Sequence, residues 1–78
     1  GSAFKRPEGF FAAKLIDDAG LRGFTVGGAK ISEKHTGFVI NRGGATQKDV
    51  SELMQKVSDT VYEKFGVRLE REIKFLGD

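Results

Sequence analysis

The chain has 78 residues, 38% of them hydrophobic, with no cysteine and one histidine. That is enough for one small core, and it excludes a disulfide framework, excludes a thiolate metal site and argues against a structural zinc. A net charge of +2 is too small to indicate nucleic acid by itself, and no apolar run approaches the roughly 18 residues of a membrane span.

The opening stretch through Gly9 is predicted to be short and extended, because Pro7 disfavours the helical conformation for Arg6. From Phe10 to Ala19, the apolar residues Ala12, Leu15, Ile16 and Ala19 follow i, i+3, i+4, i+7, one face of a helix that Gly20 stops. Phe24 and Val26 alternate with Thr25 before Gly27-Gly28, which predicts a short strand ending in a turn or bulge. Gly37-Phe38-Val39-Ile40 reads as a strand of the buried type, broken by Asn41-Arg42-Gly43-Gly44.

The longest element is predicted from about Gln47 to Phe65. Thr46 supplies an N-cap oxygen, and Asp49 three residues on completes a relative of the capping box with a favourable charge at the positive helix end. Val50, Leu53, Met54, Val57, Val61 and Phe65 form one apolar stripe, opposite Lys48, Glu52, Gln55, Asp59 and Glu63, and Gly66 ends the helix. In the last segment Val67, Leu69, Ile73 and Phe75 alternate with Arg68, Glu70, Glu72 and Lys74, the pattern of a half-buried strand. Arg71 interrupts its apolar face. The expected fold is a single α+β domain over residues 1–78, in the order helix, strand, strand, helix, strand (αββαβ). Both helices would cover one face of a mainly antiparallel sheet.

Candidate sites read ambiguously from chemistry alone. Ser2, ahead of the adjacent cations Lys5-Arg6 and Pro7, fits a proton donor beside an anionic ligand, although a serine next to a glycine is usually a turn residue. Glu72 shares its polar face with Arg68, Glu70 and Lys74, which fits a solvated face with cross-strand ion pairs as well as a catalytic carboxylate. Gly27-Gly28 and Gly43-Gly44 match neither the dinucleotide nor the Walker spacing and read as turns needing positive φ. His35 has no carboxylate partner at a telling spacing and reads as a loop residue bonded locally. The seven Phe residues and Tyr62 leave room for a small αβ RNA-binding module, which would need an exposed aromatic pair flanked by Lys or Arg.

Particular stretches of the sequence are more specific than its chemistry. Gly1-Ser2-Ala3-Phe4-Lys5-Arg6-Pro7, Leu15-Ile16-Asp17-Asp18-Ala19-Gly20-Leu21-Arg22-Gly23 and Gly27-Gly28-Ala29-Lys30-Ile31-Ser32-Glu33-Lys34-His35 come first. Phe38-Val39-Ile40-Asn41, Ala45-Thr46-Gln47-Lys48-Asp49-Val50 and Leu69-Glu70-Arg71-Glu72-Ile73 follow in the same order. Together they resemble the C-terminal domain of the UDP-N-acetylenolpyruvoylglucosamine reductases, the MurB family, over essentially the whole chain. The resemblance implies an oxidoreductase of cytoplasmic peptidoglycan synthesis, and so of cell-wall biogenesis, cell shape and cell division. Its substrate would be UDP-N-acetylglucosamine enolpyruvate, with no nucleic acid and no membrane involved. In that family NADPH reduces a bound FAD, the flavin N5 gives hydride to C3 of the enolpyruvyl group, and a serine protonates C2.

By this resemblance Ser2 is the proton donor and Glu72, the second glutamate of the family's Leu-Glu-x-Glu pattern, polarises the intermediate. Lys5 and Arg6 would face the UDP-sugar, although Arg6 stands where the family commonly has Asn. Many relatives have Pro at the position of Arg71, which reads as a surface-level change. The FAD-binding domain precedes this region in the family, so the chain alone is expected to bind no FAD or NADPH and to be inactive. The alternative is a stand-alone module binding a nucleotide-sugar or RNA without redox activity.

Overall fold

The computed structural model describes Phe4, Lys5 and residues 7–71. Its longest element is α2 (Gln47–Phe65), and its ends follow from local chemistry. Asp49 N–H donates to Thr46 Oγ1 at 3.0 Å and Thr46 N–H donates to Asp49 Oδ2 at 3.2 Å, so the capping box forms in full. At the other end Gly66 adopts the left-handed conformation, and its N–H donates to Tyr62 O. Val50, Leu53, Met54, Val57 and Val61 are buried. The stripe closes there: Phe65 is 42% exposed. Contact with the first helix in this last turn is made instead by Lys64, whose Nζ donates to Ala19 O.

Helix α1 (Ala12–Asp18) is shorter than the periodicity predicts. Phe11 is its extended N-cap, and the N–H of Phe10 is spent in a turn on Pro7 O. Ala12, Leu15 and Ile16 are buried, and α1 packs against α2.

Strands β1 (Thr25–Val26), β2 (Ala29–Ile31) and β3 (Val39–Asn41) form an antiparallel sheet in the order β1-β2-β3. The α+β class is as expected, with α2 packed on β1 and β2 and against α1. One strand was not expected. Val26 pairs with Ala29, so Gly27-Gly28 is a two-residue hairpin turn that sends the chain straight back as β2. Strand β3 is not buried on both sides: it lies at the sheet edge, with Val39 half-buried and Ile40 43% exposed. With helix on one face only, Ile31 and its partner Val39 turn inward while Lys30 and its partner Ile40 turn outward.

The glycine pairs also divide in their reasons. Gly27 has φ +54, but a Cβ on Gly28 would stand 2.5 Å from the backbone of both Gly43 and Ala45. Gly28 is therefore required by close approach, not by positive φ. Its N–H reaches Asp49 Oδ2 at 3.4 Å, which ties the hairpin to the start of α2.

The two ends of the described chain meet. Phe4 and Arg71 form an antiparallel bridge, and Lys5 N–H donates to Glu70 O at 2.9 Å. Phe4, which has no place in any periodic pattern, is 1% exposed and belongs to the main core. Val67 and Leu69 turn to that core while Arg68 and Glu70 are exposed, the alternation read for the last strand. The remainder of that predicted strand, including Ile73, Lys74 and Phe75, lies outside the described residues.

Two outcomes test this core and its cap. Leu53 is fully buried, so Leu53→Ala is expected to cost about 2–5 kcal/mol, against a total stability of about 4–12 kcal/mol for a chain of this length. A urea midpoint equal to that of the unaltered chain would show that the stripe is not the core.

The second outcome concerns acid. Asp49 is held below its ordinary value of 3.8 by the Thr46 N–H first and the Gly28 N–H second; hydrogen bonds from Arg22 and Lys30 likewise lower Asp17 and Glu33. A carboxyl lowered by folding stabilises the native state above its unfolded value and loses that contribution as pH falls through its folded value. Urea midpoints should therefore decline as pH drops below about 4, and Asp49→Asn should make the decline shallower. A pH-independent midpoint in that range would contradict the assignment.

Candidate functional site

The junction of the opening and closing segments positions the candidate site. Because the ladder bond runs from Lys5 N–H to Glu70 O, Phe4 and Arg71 form a non-hydrogen-bonded pair, the kind whose side chains lie closest. Phe4 and Leu69 turn to the core, and Arg71 turns toward α2. Lys5 and Glu70 occupy the opposite, solvent-facing side, with Lys5 Nζ 3.8 Å from Glu70 Oε2 and both side chains more than half exposed. An ion pair of this kind contributes little to stability and yields readily to a stronger anion.

Arg71 is more than a surface change. Its Nη1 donates to Ser51 Oγ at 3.0 Å, and its Nη2 donates to Ser51 O at 3.2 Å and to Gln55 Oε1 at 3.0 Å. Beside it an open groove of about 290 Å³ runs between α2 and residues 68–71. Along this groove Arg68 stacks on the Tyr62 ring at 4.6 Å, and Gln55 Nε2 donates to Asp59 Oδ1 at 2.9 Å. Its polar groups are largely engaged with one another, so the groove joins helix to terminal segment.

Of the residues singled out in the sequence, Lys5 lies at this junction. Ser2, Arg6 and Glu72 lie outside the described residues; along the chain, Ser2 is two residues from Phe4 and Glu72 adjoins Arg71. His35 is exposed, its N–H donates to Ser32 Oγ, and its ring meets the edge of Phe38 at 5.7 Å. It serves the loop, as a locally bonded residue does.

The glycine pairs do not fit a phosphate or flavin cradle. Gly28 packs against backbone and Gly27 against the Asp49 carboxylate, while the N–H groups of Gly43 and Ala45 both donate to Asn41 Oδ1. A base-stacking sheet does not fit either. Strands β1–β3 carry no aromatic residue, and the exposed aromatics Phe10, Phe11, Tyr62 and Phe65 lie before α1 and on α2. Among the described residues no group of three or more acidic, histidine or cysteine side chains is arranged to hold a metal ion. No helix among them is long and apolar enough to cross a membrane.

Sequence reasoning missed the fork of Arg71. The signal was a lone cation on the apolar side of an alternating strand, with Ser51 and Gln55 spaced one helical turn apart on α2.

Fold and junction together define a small α+β domain in which the two ends of the described chain lie side by side against one long helix. Residues 1–76 match the family model described as UDP-N-acetylenolpyruvoylglucosamine reductase, C-terminal domain. The chain is 64% identical over 78 residues to the UDP-N-acetylenolpyruvoylglucosamine reductase of Lachnoclostridium phytofermentans, covering 100% of this chain and 25% of that protein. It is 60% identical over 77 residues to the protein of the same name from Clostridium perfringens, covering 99% and 25%. Among solved structures, UDP-N-acetylenolpyruvylglucosamine reductase (MurB) from Thermus caldophilus superposes with a TM-score of 0.74 at 46% identity, over 92% of this chain and 26% of that one. The chain belongs to the family of UDP-N-acetylenolpyruvoylglucosamine reductase C-terminal domains. It spans about a quarter of the length of these relatives.

Proposed function

We propose that this chain is the substrate-side domain of a UDP-N-acetylenolpyruvoylglucosamine reductase. In that enzyme it would supply Ser2 as proton donor and Glu72 as assisting carboxylate for reduction of the enolpyruvyl ether to the lactyl ether. The observation that carries the reading is the pairing of Phe4 with Arg71, which joins the segment led by Ser2 to the segment continued by Glu72. Two residues seventy positions apart in sequence can serve one reaction only if these segments run side by side.

The chemistry assigned to the chain is acid catalysis. Reduction of the carbon–carbon double bond needs a hydride at C3 and a proton at C2. Hydride addition leaves an enolate-like carbanion at C2, far more basic than ordinary solvent oxygen. A positioned serine hydroxyl can protonate such a carbon despite its high pKa: the Ser2 O–H bond breaks, the C2–H bond forms, and solvent restores the serine proton. Glu72 would assist by polarising the intermediate; the larger contribution, electrostatic stabilisation where negative charge develops, would come from a cationic group outside this chain. Lys5 and Arg6 would bind the anionic nucleotide-sugar; the weak pairing of Lys5 with Glu70 leaves the Lys5 charge available to a diphosphate.

The hydride comes from outside the chain. FAD and NADPH would be bound by the rest of the full-length protein, since this chain covers a quarter of the length of its relatives. The reaction uses a soluble nucleotide-sugar, which accords with a cytoplasmic enzyme whose partner is its own FAD-binding domain.

The test uses the full-length enzyme. Ser2→Ala should leave flavin reduction by NADPH nearly unchanged, because that half-reaction needs no substrate proton. Reoxidation by UDP-N-acetylglucosamine enolpyruvate should slow by at least the ~10²–10⁴ typical of losing a general acid. Stopped-flow absorbance separates the two. Near-normal reoxidation would remove Ser2 from the mechanism, and equal slowing of both halves would indicate damage to the fold.

A further inference from the structure

We propose that Glu70 is a positioning residue: it is the resident counter-ion of Lys5, which the diphosphate of the nucleotide-sugar must displace, and it thereby sets how tightly the substrate binds. The proposal rests on the reading of Lys5 as a contact of that diphosphate.

The pair is built by the backbone. Lys5 N–H donates to Glu70 O at 2.9 Å, which places the two residues opposite each other where the opening and closing segments meet. Their neighbours fix the direction in which they face. Phe4 and Leu69 are buried in one core, so the alternation of extended chain turns Lys5 and Glu70 outward together. Arg71 restrains the next position, because its guanidinium donates to Ser51 and Gln55 on α2. Glu70 thus stands between two anchored residues and keeps its carboxylate beside the Lys5 ammonium, with Nζ 3.8 Å from Oε2.

A contact of this kind exchanges easily. The two side chains are 59% and 74% exposed, so neither charge has lost its water, and releasing Glu70 leaves no buried carboxylate behind. The separation is longer than a hydrogen bond, so the attraction is that of two charges without a directional bond. Among the described residues neither side chain makes a second ion pair. Arg68, the other cation on the polar side of the closing segment, is engaged elsewhere, stacked on the Tyr62 ring of α2 at 4.6 Å. A diphosphate brings more negative charge and more acceptor oxygens than one carboxylate, and it takes Lys5 on those grounds. Until it arrives, Glu70 holds the flexible stem of Lys5 at the junction and offsets its charge. A weakly charged ligand gains little by the same exchange, so the pair favours strongly anionic ones.

The experiment compares Glu70→Gln, Lys5→Ala and the double variant in the full-length reductase. KM and kcat for UDP-N-acetylglucosamine enolpyruvate are measured at low and at high salt. Inhibition by UDP, which carries the diphosphate without the enolpyruvyl group, reports binding apart from chemistry, and urea midpoints report the fold. Glu70→Gln is expected to lower both KM and the UDP inhibition constant by about 2- to 5-fold, with little change in kcat or in the urea midpoint. The gain should fade at high salt, where the pair is already screened. Lys5→Ala should raise both constants, and in that background Glu70→Gln should bring no gain.

Unchanged or raised constants in Glu70→Gln, beside a weakened Lys5→Ala, would overturn the role of Glu70 alone. So would an equal gain in the absence of Lys5, which would mean that Glu70 repels the anion without acting through Lys5, or a lowered urea midpoint with raised KM, which would make Glu70 a structural residue. Unaltered constants in Lys5→Ala would overturn the reading of Lys5 and the role of Glu70 with it.

Discussion

Burial of the single apolar stripe on α2 is the constraint from which the other elements take their positions. Among the described residues seven large side chains are fully buried, and four of them, Leu53, Met54, Val57 and Val61, belong to this helix. The other three come one each from the opening segment (Phe4), α1 (Ile16) and β2 (Ile31). All of them belong to one core cluster with the stripe of α2. The helix is in turn set by its own first turn, where Thr46 and Asp49 satisfy each other's N–H groups and Asp49 also receives the Gly28 N–H of the hairpin. One carboxylate thus caps the helix and fixes the sheet against it.

From that arrangement follows the meeting of the opening and closing described segments. Phe4 is drawn into the core and brings the opening segment with it; Leu69 does the same for the closing segment. Their backbones then pair, and the solvent-facing side of the pair carries Lys5 and Glu70. The pairing leaves the N–H of Arg71 out of the ladder. A proline at that position would therefore cost no hydrogen bond of this ladder. Here the same position carries a side-chain fork onto α2 instead, a different means of restraining the same stretch of chain.

Much of the fold was legible in the sequence because it rests on local rules. The stripe and capping box place α2 to within its observed ends, and the Ala12-Leu15-Ile16 spacing places α1. Strand β2 was not read, since Ala29-Lys30-Ile31 is too short to show a period, although Gly27-Gly28 as a two-residue turn was its signal. The burial of Ile40 was overread because hydrophobicity does not reveal which strand lies at a sheet edge. Phe4 is a lone aromatic in an aperiodic stretch, so its place in the core is a tertiary fact. The site was less legible than the fold: Ser2 and Glu72 stand out only by resemblance to a family, and the role of Arg71 depends on a helix twenty residues earlier in the chain.

The central claim is that the opening and closing segments are paired as an integral part of the folded domain. Amide hydrogen exchange of the 78-residue chain, followed by NMR at Lys5, tests it most directly. The Lys5 N–H donates to Glu70 O at 2.9 Å, so it should exchange far more slowly than in an unstructured chain and share the protection of the α2 amides. Exchange of Lys5 at the unstructured rate, with the amides of α2 still protected, would contradict the account.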